Sequence, residues 1–296
     1  MRQTYSSIRP KMIHQYASKI LREVLPWKPF NHSVTVPQVL DMLLLMASLC
    51  SSLSDVVKRF FRFSDETGRQ AVKQNLPRDE KQLTASLVQA LYDVANFSGP
   101  DRQRGWLVGI DLHLKGYYGK PTSHTVGGQK KQGTNTFFGY ATAALLHKKR
   151  RYTVGLCTLQ AGWKTHEIVS CLLAQIEEKR LKIKGVTLDS GFDGGAVFQL
   201  LQERHLAYSV PMRRKGKGNN PRNDYFQGRH RQVSWMEWAI KATGEKVRTR
   251  VVLWKGSLKT MLFAFDGWDA HRAKNVQQQA VTARRVYQRR FGIETS

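Results

Sequence analysis

Three acidic residues carry the chemistry open to this sequence. Asp111 sits in "WLVGIDLHL", Asp189 in "KGVTLDSGF" and Glu294 in "VYQRRFGIETS". Asp111 is the only acid in an apolar, alternating run, with Val108, Ile110, Leu112 and Leu114 on one face and Gly109, Asp111 and His113 on the other. A lone carboxylate in such a strand is costly unless it is paired or binds a cation. A strand-edge Asp bonded to a nearby turn is the plainer alternative. Asp189 ends a second short apolar run, where α/β sheets open their ligand crevices; its alternative is an N-cap or turn Asp. Asp193, four residues on, reads as the cap of the helix "GGAVFQLL". Tyr287, Arg290 and Glu294 share one face of a last helix, and Ala283, Ala280 and Val276 continue that face backwards. A small, apolar stripe that ends in Arg and Glu can deliver both groups to a buried site; an exposed Arg290–Glu294 pair is the alternative. Three carboxylates from two strands and a helix suit Mg²⁺ or Mn²⁺, hard ions with oxygen ligands. Two such ions can activate a water or hydroxyl and stabilise the leaving oxygen of a phosphodiester.

Elements must hold those acids in place, and the sequence predicts them. Residues 1–100 read as helical, through "VPQVLDMLLLMASLC", "SLSDVVKRFF" with a Ser cap, "SDETGRQAVKQNL" and "DEKQLTASLVQALYDVANF". "SGPDRQRG" breaks the pattern and places a boundary. From 105 to 296 the order is three strands, helix, strand, helix, strand, which predicts a mixed α/β sheet flanked by helices. Between 213 and 265 lie a basic loop, "RRKGKGNNPRNDYFQGRHRQ", and a hairpin from "EKVRTRVVLWKG" and "LKTMLFAF". One long helix then closes the chain, starting near Trp268.

Charge names the partner class. The 296 residues hold 48 Lys plus Arg against 22 Asp plus Glu, a formal net charge of +26. A chain this basic most often meets a polyanion, because each neutralised phosphate releases counterions; a ribosome- or membrane-surface protein is the alternative. Hydrophobic residues make up 41%, enough for a packed core, which argues against global disorder. The three cysteines, Cys50, Cys157 and Cys171, form no C-x-x-C pair, which argues against a zinc ribbon or a disulfide scaffold and fits a reducing compartment. The N-terminal stretch lacks the apolar core of a signal peptide, and "VLDMLLLMASLC" is too short to span a bilayer. The expectation is a cytoplasmic, nucleoid-associated protein with no membrane partner.

The C-terminal "YQRRFGIE" reads Y-x2-R-x3-E. With "GIDLH", "LDSGFDGGAVFQLLQERHLAYSV" and "YYGK…KKQGTNTFFGYAT", it resembles the insertion-sequence DDE transposases that carry this motif, from about Trp106 to Ser296. The resemblance implies an RNase H-like fold with a β-rich insertion between the second and third acids. It implies that Asp111, Asp189 and Glu294 hold two Mg²⁺ or Mn²⁺ ions, and that Tyr287 and Arg290 contact DNA phosphate near the cut. The activity implied is cleavage at transposon ends followed by attack of the freed 3′-hydroxyl, on double-stranded DNA ends and target, with a dimer holding both ends. In that family a Lys and further helix follow the Glu. This sequence stops at Ser296, so the expectation is a truncated or interrupted copy. A plain metal-dependent nuclease and a copy that only binds DNA are the alternatives.

Basic and aromatic residues complete the expectations. Arg213, Arg214, Lys215, Lys217, Arg222, Arg229 and Arg231 make the loop a candidate clamp on the DNA backbone; an ordinary solvated loop is the alternative. "HTVGGQKKQGTNT", with Lys130 and Lys131, reads as a second flexible basic segment. Trp235, Trp238 and Trp254 lie in the insertion; by resemblance Trp254 is the candidate for holding a flipped base, and core packing is the alternative. "LSDVVKRFFRFSDETGRQAVKQNL" is the candidate helix-turn-helix.

Overall fold

The computed structural model describes residues 10–27, 34–76, 79–131, 133–147, 150–214, 221–226, 232–240, 243–257, 259–268 and 275–291. The chain divides into two compact units, Met1–Val94 and Ala95–Ser296.

The first unit is helical. Its elements are α1 (Pro10–Val24), α2 (Val36–Leu49), α3 (Leu53–Phe60), α4 (Asp65–Asn75) and α5 (Glu80–Ala95). Local chemistry sets their starts. Pro37 lies in the first turn of α2, where a missing N–H costs nothing, and the Gln38 side chain accepts from Thr35 N–H at 2.7 Å. Ser52 caps α3 and Ser64 caps α4, each accepting a backbone N–H at 3.1 Å. Val34, Val39, Met42, Val57 and Ala71 form the core. At Gly68 a Cβ would lie 2.8 Å from Val57 Cγ2, so only glycine lets α4 approach α3 this closely. Among the described residues no single helix is long and apolar enough to cross a membrane; α2 and α3 together reach that length and composition, but they meet at a bend of 114°.

The second unit begins with a short helix, α6 (Gly99–Gln103), inside the segment expected to be irregular. Ser98 and Asp101 cap it reciprocally, which is how Pro100 and Gly99 come to open a helix. Among the described residues nine strands follow in one sheet: β1 (Trp106–Tyr117), β2 (Thr125–Lys131), β3 (Thr134–His147), β4 (Arg150–Thr158), β5 (Ile183–Thr187), β6 (Ala207–Met212), β7 (Val233–Ala239), β8 (Lys246–Lys255) and β9 (Thr260–Asp266). The helices are α7 (Thr165–Glu178), α8 (Gly195–Glu203), α9 (Pro221–Phe226) and α10 (Val276–Gln288). β4 pairs β3, β3 runs antiparallel to β1, and β1, β5 and β6 are parallel neighbours. The order β4-β3-β1-β5-β6 with those directions is that of an RNase H-like sheet, with helices packed on it.

The sheet extends further than the sequence predicts. β9 pairs antiparallel with β6, so the β-rich insertion (β7, β8, β9) continues the main sheet instead of forming a separate lobe. β7 is not among the predicted strands. It is an edge strand that is half exposed, so its alternation is faint. The segment read as flexible is β2, an edge strand paired with β3. Its glycines and lysines read as loop, yet charged residues are what an edge strand tolerates.

Candidate active site

Strand register brings the first two acids together. Gly109 of β1 and Thr187 of β5 are direct partners in a parallel ladder. Two residues further along each chain stand Asp111 and Asp189, so both fall on the same face at the same height. Asp189 lies just past β5, at the start of a 3-10 turn, Ser190–Phe192.

Helix α10 lies across that same face. Asn275 caps it, accepting Gln278 N–H at 2.8 Å. Ala280, Ala283, Val286 and Tyr287 share one buried cluster with Leu107, Ala144, Leu146, Val252, Phe263 and Phe265. Ser209 Oγ donates to the Ala283 carbonyl at 3.0 Å and fixes the helix along its axis. A closing 3-10 turn, Arg289–Phe291, then carries Arg290 over the acids.

Arg290 joins the two carboxylates. Its Nη1 donates to Asp111 Oδ1 at 3.0 Å, and its Nη2 lies 3.5 Å from Asp189 Oδ1. Gly109 makes room for its stem: a Cβ there would sit 3.4 Å from Arg290 Cγ and 3.1 Å from Leu146 Cδ1. The Arg290 side chain is 6% exposed, while Asp111 and Asp189 are 32% and 35% exposed. The cation is therefore buried and the acids face solvent. Tyr287 is buried beside them, and burial holds its phenol above the usual pKa; the nearby Arg290 opposes that rise and Asp189 adds to it. Tyr287 thus stays protonated at neutral pH.

A second network runs from Asp189 into the basic segment. Arg213 Nε donates to Ser190 Oγ at 2.6 Å, and Ser190 Oγ lies 3.5 Å from Asp189 Oδ1. The backbone N–H of Arg213 donates to Asp193 Oδ2 at 3.2 Å, and Arg222 Nη1 donates to the same oxygen at 2.7 Å. Arg222 also stacks its guanidinium over Trp238, 5.5 Å from the ring centroid. Here the acid is 1% exposed and the cation 7%.

The remaining predicted residues are placed as follows. Asp193 does not cap α8; Gly194 occupies the cap position, and Asp193 is held by Arg222 instead. Arg222, expected in a DNA clamp, is buried in that pair, because α9 turns it inward. Tyr287 and Arg290, expected at phosphate, face the acids. Arg213 and Arg214 are exposed, with Arg214 over the Phe226 ring at 4.8 Å. Lys130 and Lys131 are exposed on β2. Trp254 packs against the α10 core, with the Arg284 guanidinium 3.8 Å from its ring centroid. Glu294 and Lys215 lie outside the described residues. The Asp193–Arg222 pair is what sequence reasoning missed. The one signal was an acid between a strand end and a Gly-Gly helix start, and a cap explains that equally well.

Two hard carboxylates that converge on one cation and remain open to solvent suit a divalent ion. Among the described residues no group of three His, Cys, Asp or Glu side chains is placed to hold a metal.

No protein-family model matches the chain, and no curated protein matches it. Seven chains of solved structures do. One belongs to a piggyBac transposase synaptic complex with hairpin DNA; it is 10% identical, with a TM-score of 0.48 over 99% of this chain and 61% of that chain. The present chain thus spans about three-fifths of that transposase's length, 61%.

Proposed function

We propose that this protein is a DNA transposase whose cutting site is built on Asp111 and Asp189. The observation that carries the proposal is the convergence of these two carboxylates, from adjacent strands, on Arg290. In this reading Asp111 and Asp189 hold Mg²⁺ or Mn²⁺, and Glu294 completes the set. A divalent ion there would supply positive charge for a phosphodiester and acidify a water or a 3′-hydroxyl.

The chain's own residues supply position and charge. Asp111 and Asp189, each a third exposed, present oxygens where a phosphate and an attacking oxygen can reach them. Arg290 anchors both acids from the buried side and limits their mutual repulsion. Arg213, placed by Ser190 and Asp193, offers a guanidinium to the strand beside Asp189. Fixed geometry and fixed charge of this kind supply much of the rate in phosphoryl transfer. The proposal includes a dimer holding both element ends.

A second reading, DNA binding without cleavage, is favoured by Arg290 itself, since its guanidinium already provides charge to both acids. The test is a strand-joining assay with Mn²⁺ on DNA bearing the sequences that flank the gene. Joined products support the transposase. Cleaved but unjoined DNA reduces the protein to a nuclease, and bound but uncut DNA leaves the second reading.

A further inference from the structure

The sheet face that carries Asp111 does not end at the acids. Along β1 it continues through His113, Lys115 and Tyr117, and along β3 through Thr142, Tyr140, Phe138 and Thr136, which are their ladder partners. The other face of β3 is closed, with Phe137, Ala141 and Ala143 buried. On the open face Tyr140 and Phe138 are each 44% exposed. α10 covers this face around Leu107, Ala144 and Leu146, and the aromatic stretch lies on the other side of the acids from that cover.

The rings are ordered in two dyads. His113 stacks on Tyr140 with centroids 4.7 Å apart and planes 20° from parallel, and His113 Nε2 lies 3.3 Å from Thr142 Oγ1. Tyr117 leans on Phe138, also at 4.7 Å. Tyr140 and Phe138 are two residues apart on one strand, about 7 Å along it, and each leaves part of its ring open for a base to stack on. Lys115, exposed and opposite Phe138, adds a cation beside the rings.

We propose that this strip, Asp111–His113/Tyr140–Lys115–Tyr117/Phe138, is a stacking platform for an unpaired stretch of DNA strand leading to or from the acid pair. Two observations select a nucleic acid strand over a protein occupant. The strip is continuous with the acids on one face, and it combines aromatic rings with a cation in a chain of net charge +26. Bases within a duplex are stacked on their neighbours and offer no free face to these rings, so the ligand is single-stranded. The inference rests on reading Asp111 and Asp189 as the cutting site.

Its test needs no cutting. The full chain is titrated, in EDTA, into a short single-stranded oligonucleotide carrying 2-aminopurine, and in parallel into the duplex of the same sequence. Wild type is expected to quench the probe. Tyr140→Leu with Phe138→Leu is expected to abolish the quench and weaken single-strand binding about tenfold, with duplex affinity changed less than about twofold. Tyr140→Trp, which preserves the packing and widens the ring, is expected to keep the quench and bind the strand at least as tightly. Equal losses on single strand and duplex, unchanged binding in the double variant, or lost quenching in Tyr140→Trp would overturn the platform. Failure of the cutting site reads out separately, as metal-dependent cleavage that ignores Asp189.

Discussion

Arg222 and Arg290 are both buried against aspartates, and their surroundings make opposite use of them. Arg222 and Asp193 are both sealed, at 7% and 1% exposure. Arg290 is equally sealed, at 6%, but its partners Asp111 and Asp189 are a third open. In the closed pair all the charge is spent inside the fold, tying α9 and the start of the basic segment to the turn after β5. In the open pair the cation holds the acids from behind and leaves oxygens facing outward. The closed pair holds the fold together, and the open pair is built to meet something else.

That contrast predicts unequal costs. Removing one partner of a buried pair strands an uncompensated charge, so Asp193→Asn and Arg222→Met are each expected to lower stability by about 3–5 kcal/mol in denaturant melts. Asp111→Asn or Asp189→Asn should cost less than about 1 kcal/mol, because solvent already screens those acids. Equal losses at both places would break the comparison.

A second variant sharpens it. Arg290→Gln leaves two carboxylates side by side without their cation, an expected cost of about 1–3 kcal/mol without metal. If Arg290 and a divalent ion share the same oxygens, Mn²⁺ should raise the melting temperature more in this variant than in wild type. An identical Mn²⁺ response in both would separate the arginine from the metal.

The smallest effect belongs to the exposed cations. Changing Arg213, Arg214 and Lys215 together to Gln should flatten the salt dependence of DNA binding, by up to about 0.9 in slope for each phosphate no longer neutralised. Arg222→Met, measured the same way, tests whether anchoring Arg213 matters as much as its charge. If the salt slope is unchanged in the triple variant, the segment does not touch phosphate.

Much of the fold is legible in the sequence where local signals are strong. Ser52 reads as a cap and is one, and the apolar runs around Asp111 and Asp189 read as the strands that carry them. The side-by-side placement of those acids is not legible, since it depends on Gly109 pairing with Thr187 across a crossover. Edge strands β2 and β7 are obscured because so little of them meets a core: in β2 only Thr125 is buried, and in β7 no residue is. Asp193 misleads for a different reason. Its partner Arg222 stands far along the chain in a segment whose composition reads as solvated loop, and nothing local announces a turn that buries one arginine among many. The aromatic strip is hidden likewise, because His113 and Tyr140 meet only through the β1–β3 register.

The central claim is that the open acid pair is the cutting site, and one measurement addresses it directly: plasmid cleavage in Mn²⁺ by wild type and Asp189→Asn, with DNA binding followed on the same preparations. The account predicts nicking by wild type, none above background by the variant, and equal binding by both. Wild-type levels of nicking by Asp189→Asn, or no nicking by either protein, would contradict it.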